Sequence, residues 1–423
     1  ALNEYQFGAL DEDDQRAYKL NVGLNYRHKE RNFNSQFIGV STPGYTPGFA
    51  NSGFLVPNVD DISSIYIPEN FSNTANPKLT LKEQLPDLFN GELDIMAAFA
   101  SVDFGLNKRF SGNIGARFER DVFNVDWDVK NYIGPDGPRR YAIEKEYTSL
   151  YPSVNLKYAL TEKTFLRFAS SMTQTLPEFK EFSPFQYEEP TGRVIQGNPD
   201  LEKSDVVNVD LKFEFFPKSG ELLSATAFYK NIKDPINLSL TTGSSGFFEY
   251  NNTGDQATVF GLELEGRLNL LENEDGQGVV SANANVTLMS HNQDLLEQFE
   301  YYDIKETGLQ GASDVIVNGS LVYNNRKENA FIGSLTANYA SDKIYALGSP
   351  EDFANSDVLF NHQIVEKGFV TMDMVLSKKF NKHITVKFTG RNLLNPNIDQ
   401  TQEITRFDNN GSVVSDSNAT VQS

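Results

Sequence analysis

The sequence predicts an all-β protein, an antiparallel transmembrane β-barrel that contributes about 14 strands in this chain. Apolar and polar residues alternate with a period of two along most of its 423 residues, and no long segment shows helical periodicity. Many alternating segments extend over about ten residues or more, the length that a tilted strand needs to cross a bilayer. Strands in soluble sandwiches average about 5–6 residues. Short and long connections also alternate, which is the third indication of a barrel.

Each predicted strand is one segment with an apolar residue at every second position. Tyr18, Leu20 and Val22 share one face of the first segment, for example, and Lys19 lies on the other. The predicted strands lie near 16–28, 31–40, 91–106, 110–126, 147–159, 163–172, 205–216, 221–230, 258–270, 279–290, 313–323, 331–341, 368–380 and 383–394.

The connections between these strands predict that the two ends of the sheet differ. Outer-membrane barrels have tight periplasmic turns and long outer loops. Aromatic residues near the strand ends are typical of interfacial girdles. The short connections are 28–31, 107–109, 160–162, 217–220, 271–277, 324–330 and 381–382, and the long ones are 41–90, 127–146, 173–204, 231–257, 291–312, 342–367 and 395 onward. The girdle candidates are Phe110, Tyr158, Phe216, Tyr229, Tyr323, Tyr339 and Phe380.

The direction of the strands predicts that residues 1–423 are a partial barrel. If the short turns are periplasmic, the first predicted strand starts outside and the last one ends outside. Bacterial barrels keep both ends periplasmic, and an open sheet edge in lipid leaves unpaired backbone groups. We therefore expect further strands before and after this chain.

Composition excludes several classes of protein. The chain has no Cys, which excludes disulfides and thiolate metal sites. Its net charge of −20 argues against a nucleic-acid partner, because phosphate recognition needs a cationic face. It also favours bridging by divalent cations to anionic lipopolysaccharide. No apolar run approaches the length of a transmembrane helix.

Neither an enzyme site nor a metal or cofactor site is predicted. The 4 His residues are scattered without ligand-like or catalytic spacing. The acidic run Asp11–Asp14 lacks the spaced ligands of a calcium loop. The segment Asn273–Gly278 reads as ordinary turn chemistry around Asp-Gly.

Four segments between residues 166 and 396 resemble the C-terminal barrel of TonB-dependent outer-membrane receptors, of the kind found in Bacteroidetes-type bacteria. They are LRFASSMTQTLPEFKEFSPF (166–185), QGNPDLEKSDVVNVDLKFEFFPKSGELLSATAFYKNIKDPI (196–236), EYNNTGDQATVFGLELEGR (249–267) and FTGRNLLNP (388–396). They occur in the family's order, and residues 1–150 fit by pattern alone.

The resemblance implies a barrel of about 22 strands around a plugged lumen. Seven strands upstream and one downstream would complete it. The family's N-terminal plug domain, its first barrel strands, its final strand and the box that binds the inner-membrane TonB complex are not found in this sequence. The implied partners are the plug domain, the TonB energy-transduction complex and outer-membrane lipid, and a surface lipoprotein is a further option.

Two groups of loop residues are candidates for ligand binding. Aromatic residues in the loop 173–204 alternate with acidic ones, a pattern that fits a sugar, a peptide or a cationic ligand. Packing of these aromatics within the loop is the preferred alternative. The candidates are Phe179, Phe182, Phe185 and Tyr187, with Tyr301 and Tyr302 in a second loop.

A third group is predicted to face the lumen, because its members share the polar side of their strands. These residues are Lys212, Glu214, Glu263, Glu265 and Arg267. They could contact the plug or a substrate, and ion pairing between strands is the preferred alternative.

Three functions follow from these observations. The first is energised uptake of a nutrient across the bacterial outer membrane, with capture of the ligand by the long outer loops. The second is a non-transporting barrel that acts as a scaffold or assembly partner in a larger outer-membrane complex. The third is a soluble β-sandwich adhesin. The sequence does not identify the ligand.

Overall fold

The computed structural model describes residues 2–10, 16–36, 38–41, 67–71, 79–83, 85–134, 137–189, 192–241, 247–301, 304–325, 327–349, 360–407 and 413–422. Their helical segments are single turns, namely Pro68–Phe71, Phe179–Phe182 and the 3₁₀ turn Glu297–Phe299. In these ranges we find no helix with the length and apolar character needed to span a membrane.

The strands in these ranges are numbered here in chain order. They are β1 (Leu2–Leu10), β2 (Arg16–Ser35), β3 (Ile38–Ser41), β4 (Thr80–Glu83), β5 (Asp87–Gly105), β6 (Phe110–Gly134), β7 (Gly137–Ala159), β8 (Thr164–Thr175), β9 (Gln186–Glu188), β10 (Val194–Gln196), β11 (Ser204–Phe215), β12 (Leu222–Lys233), β13 (Ile236–Leu240), β14 (Phe247–Asn252), β15 (Gln256–Glu272), β16 (Gly278–Asp294), β17 (Glu306–Thr307), β18 (Val315–Asn324), β19 (Phe331–Ala340), β20 (Lys343–Ala346), β21 (Phe360–Glu366), β22 (Phe369–Lys379), β23 (Thr385–Gly390), β24 (Gln400–Phe407) and β25 (Val413–Gln422).

One antiparallel sheet of 15 strands contains most of these elements, which confirms the predicted fold class. Fourteen strands follow one another in chain order from β1 to β23, and β17 pairs with the end of β16. The path is β1-β2-β5-β6-β7-β8-β11-β12-β15-β16-β18-β19-β22-β23. In the described part of the chain, β1 and β23 stand at the two ends of this path.

The turn predicted at 28–31 is wrong. Residues 16–35 form the single strand β2, and β1 pairs with its first half, from Leu2 opposite Gly23 to Leu10 opposite Arg16. The segment 24–35 contains no Gly or Pro, so nothing in it favours a tight turn. The segment was predicted as a turn because its residues are mostly charged or polar. Without apolar residues at every second position, the pattern that indicates a strand is missing.

The long loop predicted at 127–146 is also wrong, because β6 continues to Gly134 and β7 begins at Gly137. The period-two pattern persists there with its apolar side buried. Phe123, Val125 and Trp127 are all almost fully buried. Asp126 and Asp128 alternate with these apolar residues in the same strand.

Other long connections fold into two smaller sheets. One has the order β13-β14-β10-β9, and the other has the order β20-β21-β24-β25. The amide of Leu347 donates to the carbonyl of Leu238 at 2.8 Å, and the amide of Leu240 donates to the carbonyl of Leu347 at 3.1 Å. These bonds join β13 to the chain that follows β20, so the two sheets meet edge to edge. We call them together the loop sheets.

The chain divides into two compact units. Residues 29–93 and 123–145 form the smaller unit, and the remainder forms the larger one. In the larger unit, the main sheet exposes large apolar side chains on one face, such as Phe260 at 61% and Leu321 at 51%. An exposed apolar face on strands of this length is typical of a sheet in contact with lipid.

Candidate functional site

The loop between β8 and β11 is folded around its aromatic residues. Phe179, Phe182 and Phe185 are only 5%, 1% and 8% exposed. The helical turn Phe179–Phe182 that carries two of them begins at Glu178, whose backbone amide donates to the Glu181 carboxylate at 2.8 Å in a capping box. The phenylalanines therefore have little surface for a ligand here, and their role in binding stays a prediction.

A half-buried surface of three tyrosines lies on the loop sheets. Tyr187 comes from β9, Tyr250 from β14 and Tyr345 from β20, and all three pack against one apolar cluster. We call them the tyrosine platform. The cluster beneath them consists of Ile195, Leu238, Leu240, Phe248, Ala346 and Ile364. Tyrosines of this kind combine an apolar face with a hydroxyl group, which suits them to binding polar ligands.

The hydroxyl groups of the platform are held by hydrogen bonds. Tyr345 donates to Glu189 Oε2 at 3.0 Å, and the hydroxyls of Tyr187 and Tyr250 bond to each other. Burial raises the pKa of all three phenols above the ordinary value, so they are neutral at physiological pH. The platform thus offers neutral hydroxyl groups beside aromatic faces.

Arg193 lies beneath the platform and is 6% exposed. Its guanidinium lies 4.7 Å from the centre of the Tyr345 ring and 5.7 Å from that of Phe248. Nη1 donates to Gln400 Oε1 at 2.5 Å. Gln400 in turn lies 3.3 Å from the Glu366 carboxylate, which pairs with Lys343 at 3.0 Å. This chain of polar contacts connects both loop sheets.

Two carboxyl groups in this region lie in a poorly solvated environment. Burial raises the pKa of Glu181 on the helical turn and of Glu249 on β14. The backbone amide of Glu178 partly offsets this effect at Glu181, and the side chain of Asn251 does so at Glu249. Both groups therefore hold their protons more tightly than an exposed glutamate does.

Tyr301 belongs to a separate cluster and is fully buried. Its hydroxyl donates to Gln363 Oε1 at 3.1 Å, and Thr307 Oγ1 donates to the same oxygen at 2.9 Å. This arrangement leaves no surface of Tyr301 for a ligand. Tyr302 lies outside the described residues.

The predicted lumen-facing residues lie on neighbouring strands of the main sheet. Glu214 on β11 accepts from Arg167 Nε on β8 at 2.6 Å. Lys212 lies 3.8 Å from Glu214 and 3.6 Å from Glu265 on β15. The structure therefore brings three of the five residues into one ion-pair network. Glu263 and Arg267 lie on β15, one on each side of Glu265, and the side chain of Arg267 is exposed.

Of the two acidic segments considered for metals, the structure describes only Asn273–Gly278. Asn273 Oδ1 accepts from the amide of Gln277 at 2.8 Å, which is turn chemistry. Asp11–Asp14 lies outside the described residues. Across the part of the chain that the structure describes, no group of three or more His, Cys, Asp and Glu side chains is arranged to hold a metal ion.

Sequence reasoning did not identify Arg193, Tyr250 and Tyr345. Each is a single residue in a loop, and their partners are distant in the chain: Tyr345 is 156 positions from Glu189. The Tyr-Asn-Asn sequence after Glu249 was a weak signal for Tyr250. There a tyrosine, which favours strands, is followed by two asparagines, which favour turns.

Comparisons with known proteins identify a family. A family model described as TonB dependent receptor-like, beta-barrel, matches residues 2–393. A search of curated proteins finds no match.

Several solved structures share the fold. The ferric yersiniabactin uptake receptor FyuA from Yersinia pestis is 12% identical over 96% of this chain and 50% of its own, with a TM-score of 0.53. The siderophore receptor PiuA from Acinetobacter baumannii is 11% identical over 96% of this chain and 52% of its own, with a TM-score of 0.56. The copper transporter OprC is 12% identical over 90% of this chain and 49% of its own, with a TM-score of 0.57. The chain thus spans about half the length of these structures.

Proposed function

Because this chain belongs to the family of TonB-dependent receptor β-barrels, a family of the bacterial outer membrane, we propose that it forms the wall and outer loops of a receptor for energised uptake of a nutrient. The narrower origin in Bacteroidetes-type bacteria stays a prediction. The family comprises receptors and transporters, so the chain is assigned to uptake rather than to catalysis.

The observation that carries this proposal is the organisation of the long connections. Here they form hydrogen-bonded loop sheets with a buried arginine beneath three half-buried tyrosines. A preformed surface of this kind reduces the entropy lost when a ligand binds. We assign ligand capture to the tyrosine platform, with Tyr187 as the member already expected from the sequence.

Ligand chemistry follows from the groups on the platform. Neutral phenol hydroxyls and aromatic faces suit ligands with hydroxyl groups or catechol rings, and nearby Glu189 adds an acceptor. The names of the matched structures mention ferric yersiniabactin, a siderophore and copper. A ferric siderophore and a copper salt are therefore the first probes, with an oligosaccharide as the third.

The partners of the complete receptor are part of this proposal. A plug domain would close the lumen against the polar face that carries Lys212, Glu214 and Glu265. The TonB complex of the inner membrane would move that plug. Lipopolysaccharide would surround the apolar face, and a surface lipoprotein stays an option that no contact here requires.

Uptake by cells that carry or lack the receptor gene tests the transport function. We expect accumulation of one labelled probe to require the receptor, the proton motive force and the TonB protein. Accumulation that persists without the receptor would refute transport. In that case, stoichiometric purification with other outer-membrane proteins would support the scaffold alternative.

Binding to de-energised cells tests the platform separately. We expect the triple substitution Tyr187→Ala, Tyr250→Ala and Tyr345→Ala to lower surface binding of the transported probe at least tenfold. The matched control is Tyr339→Ala, which removes an exposed tyrosine from the apolar face of β19. Equal binding by both variants would exclude the platform while leaving the transport function intact.

A further inference from the structure

One part of the polar face of the main sheet, the face opposite the exposed apolar side chains, carries no charge. β18 and β19 contain no charged residue over their whole length, and neither does β16 from residue 279 to residue 290. The neighbouring strand β15 differs, because Glu263, Glu265 and Arg267 lie on its polar face. The polar face therefore changes from charged to neutral between β15 and β16.

Amide and hydroxyl side chains take the place of the charges on these three strands. They form two rows that run across β16, β18 and β19, since residues directly opposite each other on antiparallel strands share a face. The rows are Asn285, Asn318 and Asn338, and Asn283, Ser320 and Thr336. We call these six residues the neutral strip.

The side chains of the neutral strip bond to one another across the strands. Asn318 Nδ2 donates to Asn285 Oδ1 at 2.7 Å, and Asn283 Nδ2 donates to Ser320 Oγ at 3.3 Å. A primary amide has two N–H donors and an oxygen that accepts two bonds, so these contacts use only part of its capacity. All six residues are half-buried, and the strip therefore keeps surface for further polar groups.

A cavity of about 230 Å³ adjoins the strip at the boundary with the charged strands. Its lining includes Asn283, Asn285, Asn318, Ser320 and Thr336 on one side and Glu265 and Arg267 on the other. Glu265 also lies 3.6 Å from Lys212 and so belongs to the ion-pair network of the charged strands. The space for a ligand group thus lies beside the neutral side chains, where the network ends.

A partner in the lumen would be held unequally by these two parts of the wall. Charge-assisted hydrogen bonds are roughly twice as strong as bonds between neutral groups. A plug domain would therefore be held more tightly by the charged strands β8, β11 and β15 than by the neutral strip. When force is applied to the plug, its contacts with β16, β18 and β19 would break first. This step rests on the proposed function, which turns the polar face toward the lumen.

We propose that the ligand crosses the barrel along the neutral strip, between the plug and the strands β16, β18 and β19. The ligand that fits this path presents uncharged hydroxyl, carbonyl or amide groups to the wall. Passage requires binding that is favourable enough to admit the ligand and weak enough, at several sites, to release it. Neutral amides and hydroxyls meet this condition, whereas a charged wall holds opposite charges strongly and repels like ones.

The accessibility of single cysteines in living cells tests the path, since this chain has no Cys of its own. Ser320→Cys places a thiol in the neutral strip. The matched control is Thr226→Cys, which places one on the polar face of β12, at a half-buried position opposite Lys212 and Glu263. The reagent is a hydrophilic maleimide added outside the cells, and the ferric siderophore is the first transported probe.

We expect energised uptake of the probe to speed labelling of Ser320→Cys at least tenfold over the rate in de-energised cells. Thr226→Cys should be labelled at one slow rate under both conditions. Equal acceleration in both variants, acceleration of Thr226→Cys alone, or no acceleration in either while uptake proceeds would overturn the proposal. A parent receptor that takes up none of the three probes would instead refute the proposed function.

Uptake kinetics supply a second measurement that does not depend on added thiols. Thr336→Leu removes a hydroxyl group from the strip, and the control Thr226→Leu makes the same change on the charged part of the polar face. We expect Thr336→Leu to lower the uptake rate at least fivefold while binding to de-energised cells stays unchanged, which shows that the variant is folded. Equal uptake rates of the two variants would contradict a path along the neutral strip.

Discussion

Arg193 and Gln400 form a buried hydrogen bond of 2.5 Å between residues 207 positions apart in the chain. The bond connects the strand β10 of one loop sheet to the strand β24 of the other. Because the guanidinium also lies against the ring of Tyr345, a single side chain supports the tyrosine platform from below.

Replacing Arg193 by Met should destabilise the loop sheets by about 2 kcal/mol, the scale of a hydrogen bond to a charged group. Hydrogen exchange measures this effect at the amides of Leu240 and Leu347, which link the two sheets. We expect faster exchange there and no change in β15. The control is Arg140→Met, since the Arg140 side chain is 84% exposed and such changes stay within about 0.5 kcal/mol. Equal effects of both substitutions would contradict the bridging role.

Glu249→Gln should stabilise the loop sheets at neutral pH. Burial raises the pKa of Glu249, so the folded state favours the protonated carboxyl. Ionisation of this carboxyl as pH rises therefore lowers the free energy of unfolding. That penalty is absent below the ordinary glutamate pKa of about 4.3 and complete above the raised value in the folded state. The gain from Gln should therefore appear at pH 7 and vanish near pH 4.

Exchange of β14 amides measured at both pH values checks this expectation. The matched control is Glu188→Gln, which changes an exposed carboxyl on the same loop sheet. A gain of equal size at both pH values would show that burial of the charge is not its cause.

Gly197→Ala should disrupt the loop between β8 and β11. A Cβ atom at this position would lie 2.1 Å from the carbonyl oxygen of Ser183 and 2.5 Å from that of Lys180. Both are backbone atoms, so the helical turn would have to move, at a cost of about 1–3 kcal/mol. This explains why the Gly-Asn-Pro segment begins with glycine.

Gly319→Ala is the control for this substitution, because a Cβ there would meet no atom within 4 Å. Limited proteolysis of the receptor in detergent distinguishes the two variants. We expect cleavage in the loop 173–204 to become faster only in Gly197→Ala. Unchanged cleavage would mean that the loop tolerates the displacement.

Asn237→Ala should cost about 2 kcal/mol, because it leaves buried partners without hydrogen bonds. Asn237 is 1% exposed and donates to Thr253 Oγ1 at 2.7 Å and to Gln293 Oε1 at 2.9 Å. Denaturant unfolding monitored in the loop sheets measures this loss. Asn32→Ala removes an exposed hydrogen bond to Glu30 and should have almost no effect. Similar denaturation midpoints for Asn237→Ala and Asn32→Ala would contradict a stabilising role of the Asn237 hydrogen bonds.

Local patterns predicted the main sheet well, because strand formation follows from the period of apolar residues. The segment 207–215 alternates along its whole length, and β11 occupies Ser204–Phe215. Where polarity interrupted the pattern the prediction failed. The charged segment 28–31 was taken as a turn, although it lies inside the single strand Arg16–Ser35.

The sequence by itself determined the fold class, the family and the position of most strands, since each depends on residues close together in the chain. Only the tertiary structure decided which loop residues meet. Tyr345 reaches Glu189, Arg193 reaches Gln400, and Gln174 reaches Asp121. Contacts of this kind depend on how separate loops pack, and the two-residue period that specifies a strand carries no information about the partner of a loop.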